Sequence, residues 1–132
     1  MLLKNDAFNP NQNKLENWQR QFVAAVEGYD LVALERLCAS ICATVSNLSK
    51  PLFANGGTAL HALLVKSPKQ QGWPKNALPM AKLLVRNGAD LYVKDADGRD
   101  VVMHLIIRGQ IDEAHQLMDE EEKLKDMLRR VA

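Results

Sequence analysis

The feature of the sequence that most constrains its fold is an internal repeat. The segment NGGTALHALL at residues 55–64 returns 42 residues later as DGRDVVMHLI at residues 97–106. Four positions match in the two copies: Gly56 with Gly98, Thr58 with Asp100, Leu60 with Val102, and Leu63 with Leu105. Removing about nine residues from the long connection at 66–77 leaves a repeat of about 33 residues, a period typical of stacked helix pairs. Helices this short are unstable alone in water, so each unit must stack on a neighbour.

Residues 87–100, NGADLYVKDADGRD, contain four aspartates and admit two interpretations. A calcium-binding loop counted from Asp95 would place Arg99 at the fifth position, where an oxygen ligand belongs, so the metal interpretation fails. As a turn, Gly88 ends the preceding helix in a left-handed conformation, and Gly98 closes an Asp-Gly turn before the next helix. The segment therefore predicts a junction between two repeated units.

These motifs resemble those of the ankyrin-repeat family. Thr-Ala-Leu-His at 58–61 resembles the family's Thr-Pro-Leu-His, and Gly-Ala-Asp-Leu at 88–91 resembles its Gly-Ala-Asp-Val turn. The third unit departs from the pattern, because His104 stands one place later than the motif's histidine. The positions that carry the resemblance are Thr58, Leu60, His61, Gly88, Asp90 and Gly98.

The predicted fold class is all-α: an ankyrin-like repeat stack of helix pairs joined by β-hairpin-like turns, with helical caps at both ends. The whole chain, 1–132, is one predicted domain. Its parts are a capping repeat at 12–45, a repeat at 55–90 with an insertion at 66–77, a repeat at 97–118 and a C-terminal cap helix at 119–132. Asp119 and Glu122 have the spacing of a capping box at the start of that last helix.

No enzyme site is recognisable in the sequence, and no catalytic, cofactor-binding or metal-binding residue is predicted. The resemblance implies a structural role for His61, whereas His104 is expected on an exposed inner helix, where it could touch a partner. Cys38 and Cys42 are four residues apart in a segment predicted to be helical, and the favoured interpretation is that they are small buried apolar side chains in a reducing compartment.

Charge is unevenly distributed along the chain. The net charge is +1, but residues 36–89 carry seven basic groups and no acidic group. The insertion adds an aromatic side chain to this basic zone, which favours contact with an acidic segment of another protein; packing of Trp73 on the helices is the alternative. The charge is too small for a typical nucleic-acid-binding domain. The contact residues predicted in this loop are Lys66, Lys69, Trp73 and Lys75.

The resemblance implies a second set of contact residues, on turn tips and inner helices. Tyr92 is the strongest candidate among these contact residues. The alternative is that its side chain packs beside Phe53. The others are Lys94, Arg99, His104, Ile107 and Arg108.

The predicted function is that of a non-enzymatic protein-binding module that presents a concave face and a basic loop. The alternative is an inhibitory or regulatory subunit, or a bacterial host-directed effector that blocks a partner enzyme. No apolar run is long enough to span a membrane, and no secretory signal is evident. A cytoplasmic location is expected, in the protein's own cell or in a host cell.

Overall fold

Helices account for all the regular secondary structure in the part of the chain that the structure describes. The computed structural model describes residues 10–65 and 74–131, with side chains from residue 13, and these residues form seven helices and no strand. The helices are α1 (Pro10–Glu27), α2 (Leu31–Cys38), α3 (Val45–Leu48), α4 (Ala59–Leu64), α5 (Ala77–Arg86), α6 (Val101–Ile107) and α7 (Ile111–Val131). The all-α class is thereby confirmed for these residues. None of these helices combines the length and the apolar character needed to cross a membrane.

Six of the helices are arranged as three pairs in two rows. Helix α1 packs on α2, α4 on α5, and α6 on α7. The first helices of the pairs contact one another in order, α1 to α4 to α6, and form an inner row. The second helices do the same, α2 to α5 to α7, and form an outer row. Each pair therefore buries its apolar side chains against the next one, which short helices need in order to be stable.

The core lies between the two rows and is made mostly of leucine and small residues. The fully buried large side chains include Leu34, Leu60, Leu63, Leu84 and Leu105. Small residues such as Ala59 and Ala81 are also fully buried, and they let neighbouring helices approach closely.

Aromatic side chains fill the first end of the stack. Trp18 and Phe22 of α1 stack with their ring centroids 4.8 Å apart, and Phe53 meets Phe22 edge-on at 6.2 Å. The indole Nε1 of Trp18 donates a hydrogen bond to the Leu37 carbonyl oxygen at 2.9 Å, which ties α1 to α2. The pattern of apolar residues in α1 thus gives a face buried in the core.

Short polar side chains cap the N-termini of three helices. Asp30, Thr44 and Asp100 accept hydrogen bonds from backbone N–H groups three residues ahead, at 3.1, 3.1 and 2.8 Å. Such caps satisfy N–H groups that have no partner within the helix. The Asp100 cap explains how the third unit begins α6 without the threonine of the second unit.

Two predicted helix boundaries are wrong. The C-terminal cap helix at 119–132 is not a separate element, because α7 runs without a break from Ile111 to Val131. Asp119 and Glu122 therefore lie inside a helix and form no capping box there. At the other boundary, α2 ends at Cys38, so Cys42 lies in the following turn and does not share a helical face with it.

The two cysteines nevertheless pack as apolar side chains. Both are free thiols, partly buried against the core. Burial raises the pKa of the Cys38 thiol to about 11, so it stays protonated near neutral pH.

The predicted β-hairpin-like turns are turns without regular strands in the described residues. A single bridge pairs Phe53 with Gly57 across one of them. The next turn is joined to it: the backbone N–H of Ala96 donates to the Asn55 carbonyl oxygen at 2.9 Å, and the Asn55 side chain donates to the Asp97 carboxylate at 2.9 Å. Successive turns are therefore fixed side by side along the inner row.

Candidate functional site

The turn at residues 95–99 is organised by the carboxylate of Asp95. Its Oδ1 accepts hydrogen bonds from the backbone N–H groups of Asp97 and Arg99, at 3.0 and 3.1 Å. The Asp95 N–H donates to the Arg99 carbonyl oxygen at 3.0 Å and closes the turn. Gly98 has a φ of +75°, as an Asp-Gly turn requires. These contacts fit the turn interpretation of residues 87–100.

His61 connects the second helix pair to this turn. The Thr58 N–H donates to His61 Nδ1 at 3.1 Å, which makes Nδ1 the acceptor nitrogen of the ring. The proton therefore sits on Nε2, which donates to the Arg99 carbonyl oxygen at 3.0 Å. Thr58 and His61 also form a reciprocal capping box at the start of α4. Both ring nitrogens are occupied, as in a structural histidine.

His104 approaches the same turn from α6. Its Nε2 lies 2.8 Å from Asp95 Oδ2, and its side chain is 12% exposed. The expectation that His104 lies exposed on the inner helix is wrong, because this hydrogen bond draws the ring against the turn. The rings of His61 and His104 are nearly perpendicular, with centroids 5.7 Å apart. Two histidines and one aspartate thus meet in a single cluster.

The charged form of Asp95 is stabilised by this cluster. Its side chain is only 4% exposed, and burial acts to raise the pKa of the carboxyl. The hydrogen bond from His104, those from the backbone N–H groups of Arg99 and Asp97, and the charge of His104 together lower the pKa below its ordinary value. Folding therefore favours ionised Asp95.

This lowered pKa predicts a loss of stability in acid. A carboxyl whose pKa is lower in the folded state contributes stability above its unfolded pKa of about 3.9, and loses it as the pH falls through the folded pKa. Asp95→Asn is expected to lower the urea midpoint markedly at pH 6 and less at pH 3, because pH 3 lies below the unfolded pKa of about 3.9, where this contribution to stability is being lost. Asp119→Asn is the control, since Asp119 is exposed on α7. A wild-type–variant difference for Asp95→Asn that is as large at pH 3 as at pH 6 would contradict the assignment.

A groove beside the cluster opens between the inner helices and the turns. Its volume is about 690 Å³. Among the described residues its lining contains three carboxylates, those of Glu27, Asp95 and Asp97, and no lysine or arginine. Its remaining lining is apolar or neutral: Phe53, Ala54, Asn55, His61, Ala62, Val65 and His104. The groove is thus suited electrostatically to a cation.

Comparison with known proteins gives one distant match. The chain is 26% identical over 114 residues, 83% of its length, to a protein of Plasmodium falciparum (isolate 3D7) named "Putative E3 ubiquitin-protein ligase protein". The matched segment is 1% of that protein, so the chain spans a very small part of its relative. No protein-family model matches the chain. No solved structure matches it.

The predicted contact residues do not all come together. Lys75, Lys94 and Arg99 are exposed, and Ile107 at the end of α6 is 62% exposed. The Arg108 guanidinium donates to the Val65 carbonyl oxygen at 3.3 Å and so reaches the second unit. Three of the predicted contact residues lie outside the described residues: Lys66, Lys69 and Trp73.

Tyr92 is exposed, as expected of a contact residue, but it faces the outer row. Its hydroxyl donates to the Glu121 carboxylate at 3.4 Å, on α7. Partial burial and the Glu121 charge both raise the pKa of the Tyr92 hydroxyl, so it remains a donor at neutral pH. Phe53 lies instead in the core beside Phe22.

Sequence reasoning missed two features of the site. The cluster of His61, Asp95 and His104 was not predicted, because its members come from three separate elements and only the stacking joins them. Of the exposed apolar side chains of α6, Ile107 was predicted as a contact residue, whereas Met103 and Ile106 were missed, although the sequence VVMHLII contains six apolar residues in seven and cannot bury them all on one face.

Proposed function

We propose that this chain is a non-enzymatic protein-binding module of ankyrin-like architecture, and that its inner row and turns contact a partner protein. Three observations support the architecture: the repeat of about 33 residues, the left-handed glycines at the turns, and the two rows of stacked helices. A rigid stack of this kind offers a continuous surface formed by several units.

The observation that carries the proposal is the apolar surface of α6. Its buried side chains are Val101, Val102 and Leu105. On its other side, Ile106 and Ile107 are 53% and 62% exposed. Large apolar side chains grouped on one surface are typical of protein-binding sites when polar residues surround them. Here Lys94 and Arg99 lie exposed on the preceding turn.

The partner is proposed to combine an apolar anchor with an acidic segment. Basic groups on the turn would attract the acidic segment, and the isoleucines would bury the anchor. The distant similarity is compatible with a binding module, since it concerns a small segment of a very large protein. Ligase activity is no part of the proposal.

Ile107→Asp tests the proposal directly. Proteins from a lysate of the source cells would be captured on the immobilised chain and identified by mass spectrometry. Ile107→Asp is expected to weaken capture at least tenfold, because a charge would replace an apolar group at the centre of the interface. Ile41→Asp is the matched control, because Ile41 is the same residue type and is even more exposed, on the first unit.

A folding control completes this test. Far-ultraviolet circular dichroism should show that both variants fold like the wild type. Binding that is equally strong for Ile107→Asp, or capture of no protein at all by the wild type, would contradict the proposal.

A further inference from the structure

Three side chains with metal-ligating atoms meet on the inner row. One ring nitrogen of His61, one ring nitrogen of His104 and a carboxylate oxygen of Asp95 all lie within 4.8 Å of one another. We propose that they form a binding site for a single divalent transition-metal ion, with Zn²⁺ as the best-suited ion. His104 lies on α6 together with the proposed protein-binding surface, but the metal proposal uses other side chains and does not rest on protein binding.

The separations are close to those that a tetrahedral ion requires. Donor atoms held at about 2.0–2.1 Å from Zn²⁺ are about 3.4 Å apart. Asp95 Oδ2 lies 2.8 Å from His104 Nε2 and 3.9 Å from His61 Nε2, one distance slightly too short and the other slightly too long. Shifts of about 1 Å or less in each side chain would place all three donors around one ion.

Each ligand is held by a different element of the fold. His61 is in α4, Asp95 is in the turn that its own carboxylate organises, and His104 is in α6. The helices fix the two imidazoles, and the turn fixes the carboxylate through backbone hydrogen bonds. Because the ligands are positioned before the ion arrives, little ordering is needed on binding.

Metal binding requires each histidine to move its proton off Nε2. His61 carries its proton on Nε2, where it contacts the Arg99 carbonyl oxygen. On binding a metal, that proton must leave Nε2 and Nδ1 must become protonated. Thr58 Oγ1 lies 3.0 Å from Nδ1 and can accept its hydrogen bond, while the Thr58 N–H gives up Nδ1 as its acceptor. A hydrogen bond to the second ring nitrogen is the usual support of a metal-bound histidine. His104 must likewise move its proton from Nε2, where it contacts Asp95 Oδ2, to Nδ1, so that Nε2 can bind the ion.

An ion can reach the cluster through the groove. All three ligands line it, and so do Glu27 and Asp97, whose carboxylates attract cations. Three protein ligands leave a fourth tetrahedral position for water, which the groove would supply. Two imidazoles and a carboxylate favour Zn²⁺, Co²⁺, Ni²⁺ and Cu²⁺ over Mg²⁺ and Ca²⁺, which prefer sites made of oxygen ligands.

The experiment is titration of the full-length, untagged, metal-free chain with ZnCl₂, followed by calorimetry at pH 7.5. The chain has three histidines, so His115, exposed on α7, provides the matched control. The wild type and His115→Gln are expected to bind one ion with equal affinity. His104→Gln should bind at least about tenfold more weakly, because losing a direct ligand costs no less than losing a supporting one. Glutamine can still donate a hydrogen bond to Asp95, which preserves the fold.

A second measurement needs no variant. In ¹H–¹⁵N spectra of the histidine rings, Zn²⁺ should shift the signals of His61 and His104 and leave those of His115 unchanged.

A Co²⁺ complex should show visible bands without the intense near-ultraviolet absorption of thiolate ligands, which would indicate Cys38 and Cys42 instead. Equal affinity of His104→Gln and the wild type, thiolate absorption, or no saturable binding up to about 100 µM Zn²⁺ would each overturn the proposal.

Discussion

Replacing Leu84 with alanine is expected to lower the free energy of unfolding by about 2–5 kcal/mol, the cost of a cavity in a packed core. Leu84 is fully buried in α5, the middle helix of the outer row, which contacts both α2 and α7. Domains are commonly stable by only about 5–15 kcal/mol, so this change removes a large share of the total. Urea denaturation followed by circular dichroism would measure it.

The matched control for this prediction is Leu128→Ala. Leu128 is exposed on α7, so its truncation should change the free energy of unfolding by about 0.5 kcal/mol or less. Similar losses for the two variants would show that the middle helix is not the centre of the core.

Gly88→Ala is expected to be more damaging than the same change at Gly98, at a cost of about 2–3 kcal/mol. Gly88 has a φ of +101°, which an L-residue rarely adopts, and that alone costs about 1–2 kcal/mol. In addition, a Cβ at this position would lie 2.8 Å from Cγ2 of Val45, so Val45 would have to move. Overpacking of this kind costs about 1 kcal/mol or more.

Gly98→Ala separates the two causes. Gly98 has a φ of +75°, but no heavy atom lies within 4 Å of the position of its Cβ. It should therefore show the conformational cost of about 1–2 kcal/mol without the collision. Thermal denaturation of both variants and of Gly88→Ala combined with Val45→Ala would test this. The double variant should recover part of the Gly88→Ala loss; recovery of none would mean that contact with Val45 contributes nothing.

Much of the fold could be predicted from local patterns in the sequence. The turn at Gly88 follows from Arg-Asn-Gly after an apolar run, and the structure gives this glycine the left-handed conformation expected. The role of Thr58 in starting α4 follows from its place before Ala-Leu-His. In both cases the residues that decide the structure are neighbours in sequence, so a short pattern contains the information.

The wrong boundary at Asp119 has a different cause. The spacing of Asp119 and Glu122 is that of a capping box, but the same residues are good helix formers. No glycine or proline follows Gly109 to interrupt the helix. Pairs one turn apart, such as Arg130 with Asp126 at 3.0 Å, also support it. The helix-forming tendency of the whole segment outweighs one local motif.

The position of His104 could not be predicted from local pattern at all. Its orientation depends on the Asp95 carboxylate, nine residues earlier on a turn, and on the stacking of α6 against α4. The one-place shift from the motif's histidine was visible in the sequence. The structural consequence of that shift was not visible. Asp100 caps the start of α6, and His104 Nε2 therefore contacts the turn instead.

The unbroken helix α7 has a mechanical consequence. At 21 residues it is a rod of about 30 Å, and its buried side chains, Ala114 and Leu117, lie in its first half. Met127 and Val131 in its second half are exposed. The second half of α7 must move with the packed first half. A spectroscopic label near residue 130 would therefore convert a small tilt of the third helix pair into a larger displacement.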